Sequence, residues 1–233
     1  MRFRFRSPAP ILVILLVSFS ASAADITGYA VLTTDYVFRG VSNSDNDPAA
    51  QLGIDVSFDS GVFLGAWAST VDMSNPPFSE RDREVIYYIG YNHNVASDWT
   101  IGANYLAYRY PASDGLFDYD YDEYMLTVNF RDWAWFEYAY SPDLYSSGYS
   151  TDNYRAHVEW PMPHLITGSA GLGYYDVSGL TGESYSYWEL GIMRPLGVAD
   201  LDLRYHDTNQ WVPIISSPER ADSRIVFSIR FQF

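Results

Sequence analysis

The sequence predicts an all-β fold: a transmembrane, antiparallel β-barrel of about 12 strands in up-and-down order. Three observations predict it. Apolar and polar residues alternate with period two, in segments of about ten residues, along the chain after residue 24. The connections between these segments alternate between short and long, which sorts the loops to two ends. The chain also carries 21 Tyr, 13 Phe and 7 Trp at a mean hydropathy of only −0.15. A barrel accounts for that pairing, because its lipid face is apolar, its inner face is polar, and Tyr and Trp suit the membrane–water boundary.

The first element is an address. Arg2, Arg4 and Arg6 precede the apolar stretch Ile11 to Phe19, and Ala21-Ser22-Ala23 forms an A-x-A site. This is the layout of a secretory signal peptide over residues 1–23, and its apolar stretch is well short of the ~20 residues of a spanning helix. Residues 24–233 are then expected to form one barrel domain. Strands are predicted at 26–39, 49–58, 62–72, 83–93, 99–110, 121–130, 133–141, 152–160, 165–175, 185–194, 199–206 and 222–233. In the second, Ala50, Leu52, Ile54, Val56 and Phe58 oppose Gln51, Gly53, Asp55 and Ser57. Tyr124, Leu126, Val128 and Phe130 oppose Glu123, Thr127 and Asn129, and Tyr154, Ala156, Val158 and Trp160 oppose Asn153, Arg155, His157 and Glu159. Leu201, Leu203 and Tyr205 alternate with Asp202, Arg204 and His206. The last strand sets Ile225, Phe227, Ile229, Phe231 and Phe233 against Arg224, Ser228, Arg230 and Gln232. Short turns fall at 59–61, 94–98, 131–132, 161–164 and 195–198. Longer polar loops fall at 40–48, 73–82, 111–120, 142–151, 176–184 and 207–221.

Composition closes off several function classes. All 14 basic residues are Arg, 29 residues are Asp or Glu, and the formal charge is −15, which argues against nucleic acid as a partner. The absence of cysteine excludes disulfides and thiolate chemistry. No G-x-S-x-G elbow, H-E-x-x-H helix or phosphate-binding loop is present, so no enzyme is expected, and His157 and His206 are the only candidate bases. No cofactor is expected either. Asp45-Asn46-Asp47 and Asp118-Tyr119-Asp120-Tyr121-Asp122 offer oxygen ligands for Ca²⁺ but lack the EF-hand pattern, and solvated acidic loops are commoner. Trp67, Trp99, Tyr105, Trp133, Tyr138, Tyr140, Trp160 and Trp188 are candidates for two aromatic girdles.

One stretch is distinctive: Leu32-Thr33-Thr34-Asp35-Tyr36-Val37-Phe38-Arg39-Gly40-Val41-Ser42-Asn43-Ser44, followed by Pro48-Ala49, Gln51, Gly53, Asp55, Ser60-Gly61, Gly65, Trp67, Ser69 and Val71-Asp72. It resembles the TorF-type porin family of bacterial outer-membrane proteins, most strongly over the first part of the mature chain. The resemblance implies a small β-barrel porin and leaves its substrate open. The terminal Phe233, with Phe227 and Phe231 on the same face, resembles the C-terminal signal read by the machinery that inserts outer-membrane barrels.

The function expected is passive passage of small hydrophilic solutes through a narrow lumen of mixed charge. The alternative is a non-conducting structural or surface-interaction barrel acting through its acidic loops, which carry Asp45, Asp47, Asp114, Asp118, Asp143 and Glu183 among others. Expected lumen-facing, selectivity-setting residues are Arg39, Asp55, Glu123, Glu137, Arg155, His157, Glu159, Glu189, Asp202, Arg204, His206, Arg224 and Arg230. Arg39, Arg204, Arg224 and Arg230 would form a basic wall facing an acidic one made of Glu123, Glu137 and Glu159. The partners expected are outer-membrane lipid, the insertion machinery and small hydrophilic solutes. Long loops would be extracellular and the termini periplasmic.

Overall fold

In hydrocarbon each backbone N–H and C=O needs a partner within the protein, so strands can cross only when their sheet closes on itself. The computed structural model of the chain meets that condition with twelve antiparallel strands. It describes residues 24–73, 81–111, 119–131 and 133–233. The expected signal segment 1–23 lies outside the described residues, as do 74–80, 112–118 (with Asp114 and Asp118) and 132.

The barrel runs β1 (Ala24–Thr33), β4 (Ala49–Phe58), β5 (Val62–Thr70), β6 (Arg83–Ala96), β7 (Trp99–Arg109), β8 (Tyr121–Phe130), β9 (Ala134–Ser141), β10 (Thr151–Met162), β11 (Ile166–Asp176), β12 (Tyr185–Leu196), β13 (Ala199–Thr208) and β14 (Arg224–Gln232). A separate two-stranded hairpin, β2 (Val37–Phe38) and β3 (Val41–Ser42), lies inside. Each barrel strand pairs with its sequence neighbour, and β1 closes against β14 with Tyr29 opposite Gln232 and Thr33 opposite Ser228. Short turns gather at the end that holds Ala24 and Phe233. The long connections, with the helical turns α1 (Ser178–Thr181) and α2 (Pro218–Ala221), gather at the other.

Alternation decides which side chains meet lipid. Leu52, Leu126, Leu172, Leu190 and Ile225 are 56–68% exposed on the outer face, an apolar band that a water-soluble protein does not display. Trp99, Trp133 and Trp160 ring the short-turn end, each more than two-fifths exposed. Tyr124, Tyr154 and Tyr174 lie on the outer face towards the long-loop end, with Tyr105 packed on Tyr124 and Tyr138 on Tyr154. Trp67 is not in either girdle. Register sets it opposite the inward Gly53, and its ring meets the buried Tyr36 at 5.3 Å, so it lines the lumen. The alternation in 62–72 is too weak in sequence to fix that parity.

Several inward or boundary rings lie directly over a glycine on the adjacent strand. Tyr29 covers Gly53, Tyr88 covers Gly65, Phe63 covers Gly90, Tyr187 covers Gly173 and Trp160 covers Gly168; in each pair the two residues are register partners. A Cβ on Gly173 would sit 2.1 Å from the Tyr187 ring. These pairs fix ring positions and resist register slips, since a one-residue shift would put a side chain under the ring. The buried cluster itself sits at the long-loop end of the lumen, built from Tyr36, Tyr108, Tyr110, Tyr121, Tyr175, Tyr185 and Tyr187 with Val41 and Leu144.

Substituting Gly173→Val should displace Tyr187 and cost about 1–3 kcal/mol, the usual range for overpacking. Urea unfolding in detergent micelles reads this as a lowered midpoint. An unchanged midpoint would show that the Tyr187 ring moves freely.

Candidate functional site: the lumen and its inner hairpin

The predicted first strand, 26–39, is cut short. β1 ends at Thr33, and the chain then folds into the barrel rather than over its rim. A knot of hydrogen bonds turns it, all but one of them short-range. The Thr33 hydroxyl donates to the Asp35 carbonyl at 2.8 Å, and the Tyr36 N–H donates to the Ser44 Oγ at 2.9 Å. The Asp35 carboxylate accepts from Ser42 Oγ at 2.6 Å, Ser44 Oγ at 2.9 Å and Arg224 Nη1 at 2.7 Å. Arg39 and Gly40 form the two-residue turn between β2 and β3, with φ of 50° and 82°. Positive φ at both positions is the condition of a type I′ hairpin turn. Gly40 is required here, because a Cβ would stand 2.6 Å from both Tyr187 Cβ and Thr208 Cγ2.

The turn delivers Arg39 across the lumen to β8. Its Nη1 and Nη2 donate to Glu123 Oε1 and Oε2 at 2.8 and 2.9 Å, a bidentate pair with side chains 6% and 1% exposed. The guanidinium lies 4.6 Å from the Phe38 ring centroid and 4.5 Å from that of Tyr175, and the Tyr108 hydroxyl donates to Glu123 at 3.2 Å. Glu84 is fully buried at the same end. These groups occupy the long-loop end of the lumen.

Below this layer lies a polar basin of about 370 Å³. Glu189 on β12 is its hub. Arg155 Nη2 donates to it at 2.6 Å and Arg204 Nη1 at 3.1 Å, with His157 Nδ1 at 3.0 Å and His206 Nδ1 at 3.6 Å. Arg155 also approaches Glu137 at 3.7 Å, and Arg204 pairs with Asp202 at 3.0 Å. His157 stacks on Trp135 at 4.1 Å and reaches Glu159 at 3.7 Å. Gly171 and Gly191 stand opposite Glu189 and Arg204 in register, and their missing side chains make room for this network.

The structure brings Arg155, His157, Glu159, Glu189, Asp202, Arg204 and His206 into this one basin wall, with Glu137 behind it against Arg155. Arg39 and Glu123 form a separate pair above it, and Arg224 is drawn to the hairpin by Asp35. Asp55 accepts from the Tyr88 hydroxyl on the opposite part of the wall. Arg230 is inward but near the short-turn rim, its guanidinium 4.1 Å from the Tyr29 ring centroid. The expected basic wall facing an acidic wall is therefore replaced by interleaved pairs. Cross-strand contacts between β9, β10, β12 and β13 neutralise charge locally, and Arg39 belongs to the hairpin rather than to a wall. Asp35, Ser42 and Ser44, which turn the hairpin inward, belong to the distinctive stretch but not to the expected lumen residues. Their signal is that stretch itself, with small polar residues dense around Arg39-Gly40.

Removing one partner of a buried pair strands the other charge. Arg39→Ala should destabilise the barrel by about 3–5 kcal/mol, and Arg39→Met with Glu123→Leu should recover most of that loss. Urea midpoints of the three proteins decide; equal losses in single and double variants would mean that the pair itself supplies the stability.

The fold has solved counterparts. A KdgM porin aligns at a TM-score of 0.55 and 10% identity, over 91% of this chain and 99% of that one. A NanC porin aligns at 0.55 and 11%, over 90% and 99%. A KdgM porin in complex with disordered oligogalacturonate aligns at 0.54 and 9%, over 91% and 99%. At these identities the likeness is one of fold: this chain is a porin-like 12-strand barrel. No curated protein matches the sequence. Residues 18–232 match the sequence profile of a family described as "Bacterial protein of unknown function (Gcw_chp)", and the chain belongs to that family.

Proposed function

We propose that the protein is an outer-membrane channel of porin type, which gives small hydrophilic solutes passive passage through a narrow lumen. The observation that carries this reading is the polar, charge-lined basin inside a closed barrel whose outer face is apolar. A barrel serving only as an anchor would have no need to line its interior with Arg155, Glu159, Glu189, Asp202 and Arg204 at membrane depth, where unpaired charge is costly. The likeness to KdgM and NanC porins supports a channel, and the resemblance of the Leu32–Ser44 stretch to TorF-type porins agrees with it. On this reading the long loops are extracellular, the termini periplasmic, and residues 1–23 a cleaved export signal. The outward Phe227, Phe231 and Phe233 present the insertion signal to the assembly machinery, and the outer face meets lipid. The protein performs no chemistry: His157 and His206 both turn to Glu189 and serve the lumen wall.

A second reading is favoured by one feature. The inner hairpin and the Arg39–Glu123 pair fill the long-loop end of the lumen, as a non-conducting structural or surface-interaction barrel would require. Planar-bilayer recording of the refolded protein separates the two. Discrete ohmic steps, with unit conductance at least about twofold higher once residues 37–42 are replaced by a short Gly-Ser link, support a channel with the hairpin as its constriction. A heat-modifiable barrel that stays silent in both forms supports the second reading.

A further inference from the structure

We infer that the lumen selects for small cations over anions, and that the selecting groups are carboxylates in its short-turn half. This rests on the channel reading above. It arises from the charge left over once the inner ion pairs are drawn.

The arginines of the lumen are committed. Arg39 is held by Glu123, and Arg224 by Asp35. Arg155 and Arg204 between them serve three carboxylates: Glu137, Glu189 and Asp202. Arg230 lies over Tyr29 and stands opposite Asp200 in the β13–β14 register. The chain has no lysine to add. On the inner face of the short-turn half Asp25, Asp55 and Glu159 then have no guanidinium partner among the described residues, and Glu84, which also lacks one, is fully buried at the long-loop end. Register fixes their direction: Asp55 is two residues from Gly53, which lies under Tyr29, and Glu159 is two from the inward His157.

Their depth is as informative as their number. β1 begins at Asp25's end, and Asp55 and Glu159 lie towards the short-turn ends of β4 and β10. The surplus carboxylates that are not fully buried are therefore gathered below the hairpin, around the route from the short-turn mouth into the basin. Low-dielectric barrel walls focus such a field along the bore, and rings of Asp and Glu are the arrangement that admits cations in other pores. Tyr36 and Trp67 line the same cavity and offer ring faces to a partly desolvated cation. Polyanions such as the oligogalacturonate held by a KdgM porin would meet repulsion here, so a shared fold does not carry that ligand class over.

The test is the reversal potential of single channels in a KCl gradient. The wild-type chain should prefer K⁺ over Cl⁻ by on the order of threefold or more. Asp55→Asn with Glu159→Gln, both isosteric, should cut that ratio by about half or more. Asp143→Asn with Glu183→Gln, which neutralise only the long loops, should leave it unchanged. Conducting channels that prefer Cl⁻ or show no preference would overturn the inference and leave the channel reading standing. A ratio that moves with the loop pair and not with the lumen pair would overturn it too, by assigning selectivity to the mouth. A silent protein would remove the channel reading and this inference with it.

Discussion

Backbone hydrogen bonds between β1 and β14 turn a twelve-strand ribbon into a barrel. Without them two edge strands would present unpaired N–H and C=O groups to hydrocarbon. The seam extends past the formal strand ends: Gly28 and Phe233 exchange N–H···O bonds of 2.8 and 2.9 Å, and the Thr34 N–H donates to Phe227 O at 2.9 Å. Once the sheet is closed, parity is no longer negotiable. Every second residue faces lipid and the others face one another across a bore of fixed width, so the sequence of each strand is read as two interleaved lists.

The inner list must then fill or line that bore, and the chain does both. Near the long loops the space goes to the inward hairpin and a tyrosine cluster, with Tyr108 and Tyr121 stacked at 4.3 Å. Nearer the short turns it goes to charged side chains held by cross-strand partners. The two regions use different physics. In the first, a buried charge is tolerated because Arg39 and Glu123 saturate each other in a bidentate fork. In the second, partial exposure to the basin lets carboxylates outnumber guanidiniums.

Periodicity made the barrel strands and the sorting of their connections legible, because residues such as Leu52-Gly53-Ile54-Asp55 leave no doubt about parity. Where alternation weakens, inference fails. In Val62–Thr70 small residues occupy both faces, and Trp67 was assigned to lipid when register turns it inward. The segment after Thr33 reads as more strand, since Tyr36-Val37-Phe38 has high β propensity; it is a strand, but of a different sheet. Only the left-handed turn at Arg39-Gly40 and the Asp35 hydrogen bonds separate the two, and the contacts that anchor them, to Glu123 and Arg224, reach across 84 and 189 residues of sequence. Lumen residues were identifiable by parity, whereas their partners were not. Whether Arg155 meets Glu137 or Glu189 depends on how far each side chain reaches across a neighbouring strand, and alternation carries no such distance.

Those long reaches also impose an order of events. The hairpin is made near the start of the chain, yet Asp35 is gripped by Arg224 at the head of the last barrel strand, and Arg39 by Glu123 in the middle. The turn's own hydrogen bonds are local, but its tie to Arg224 cannot form until β14 stands beside β1. The hairpin's last tie is thus made at the same seam that removes the sheet's two free edges, so barrel closure and the anchoring of the inner hairpin share one strand pairing.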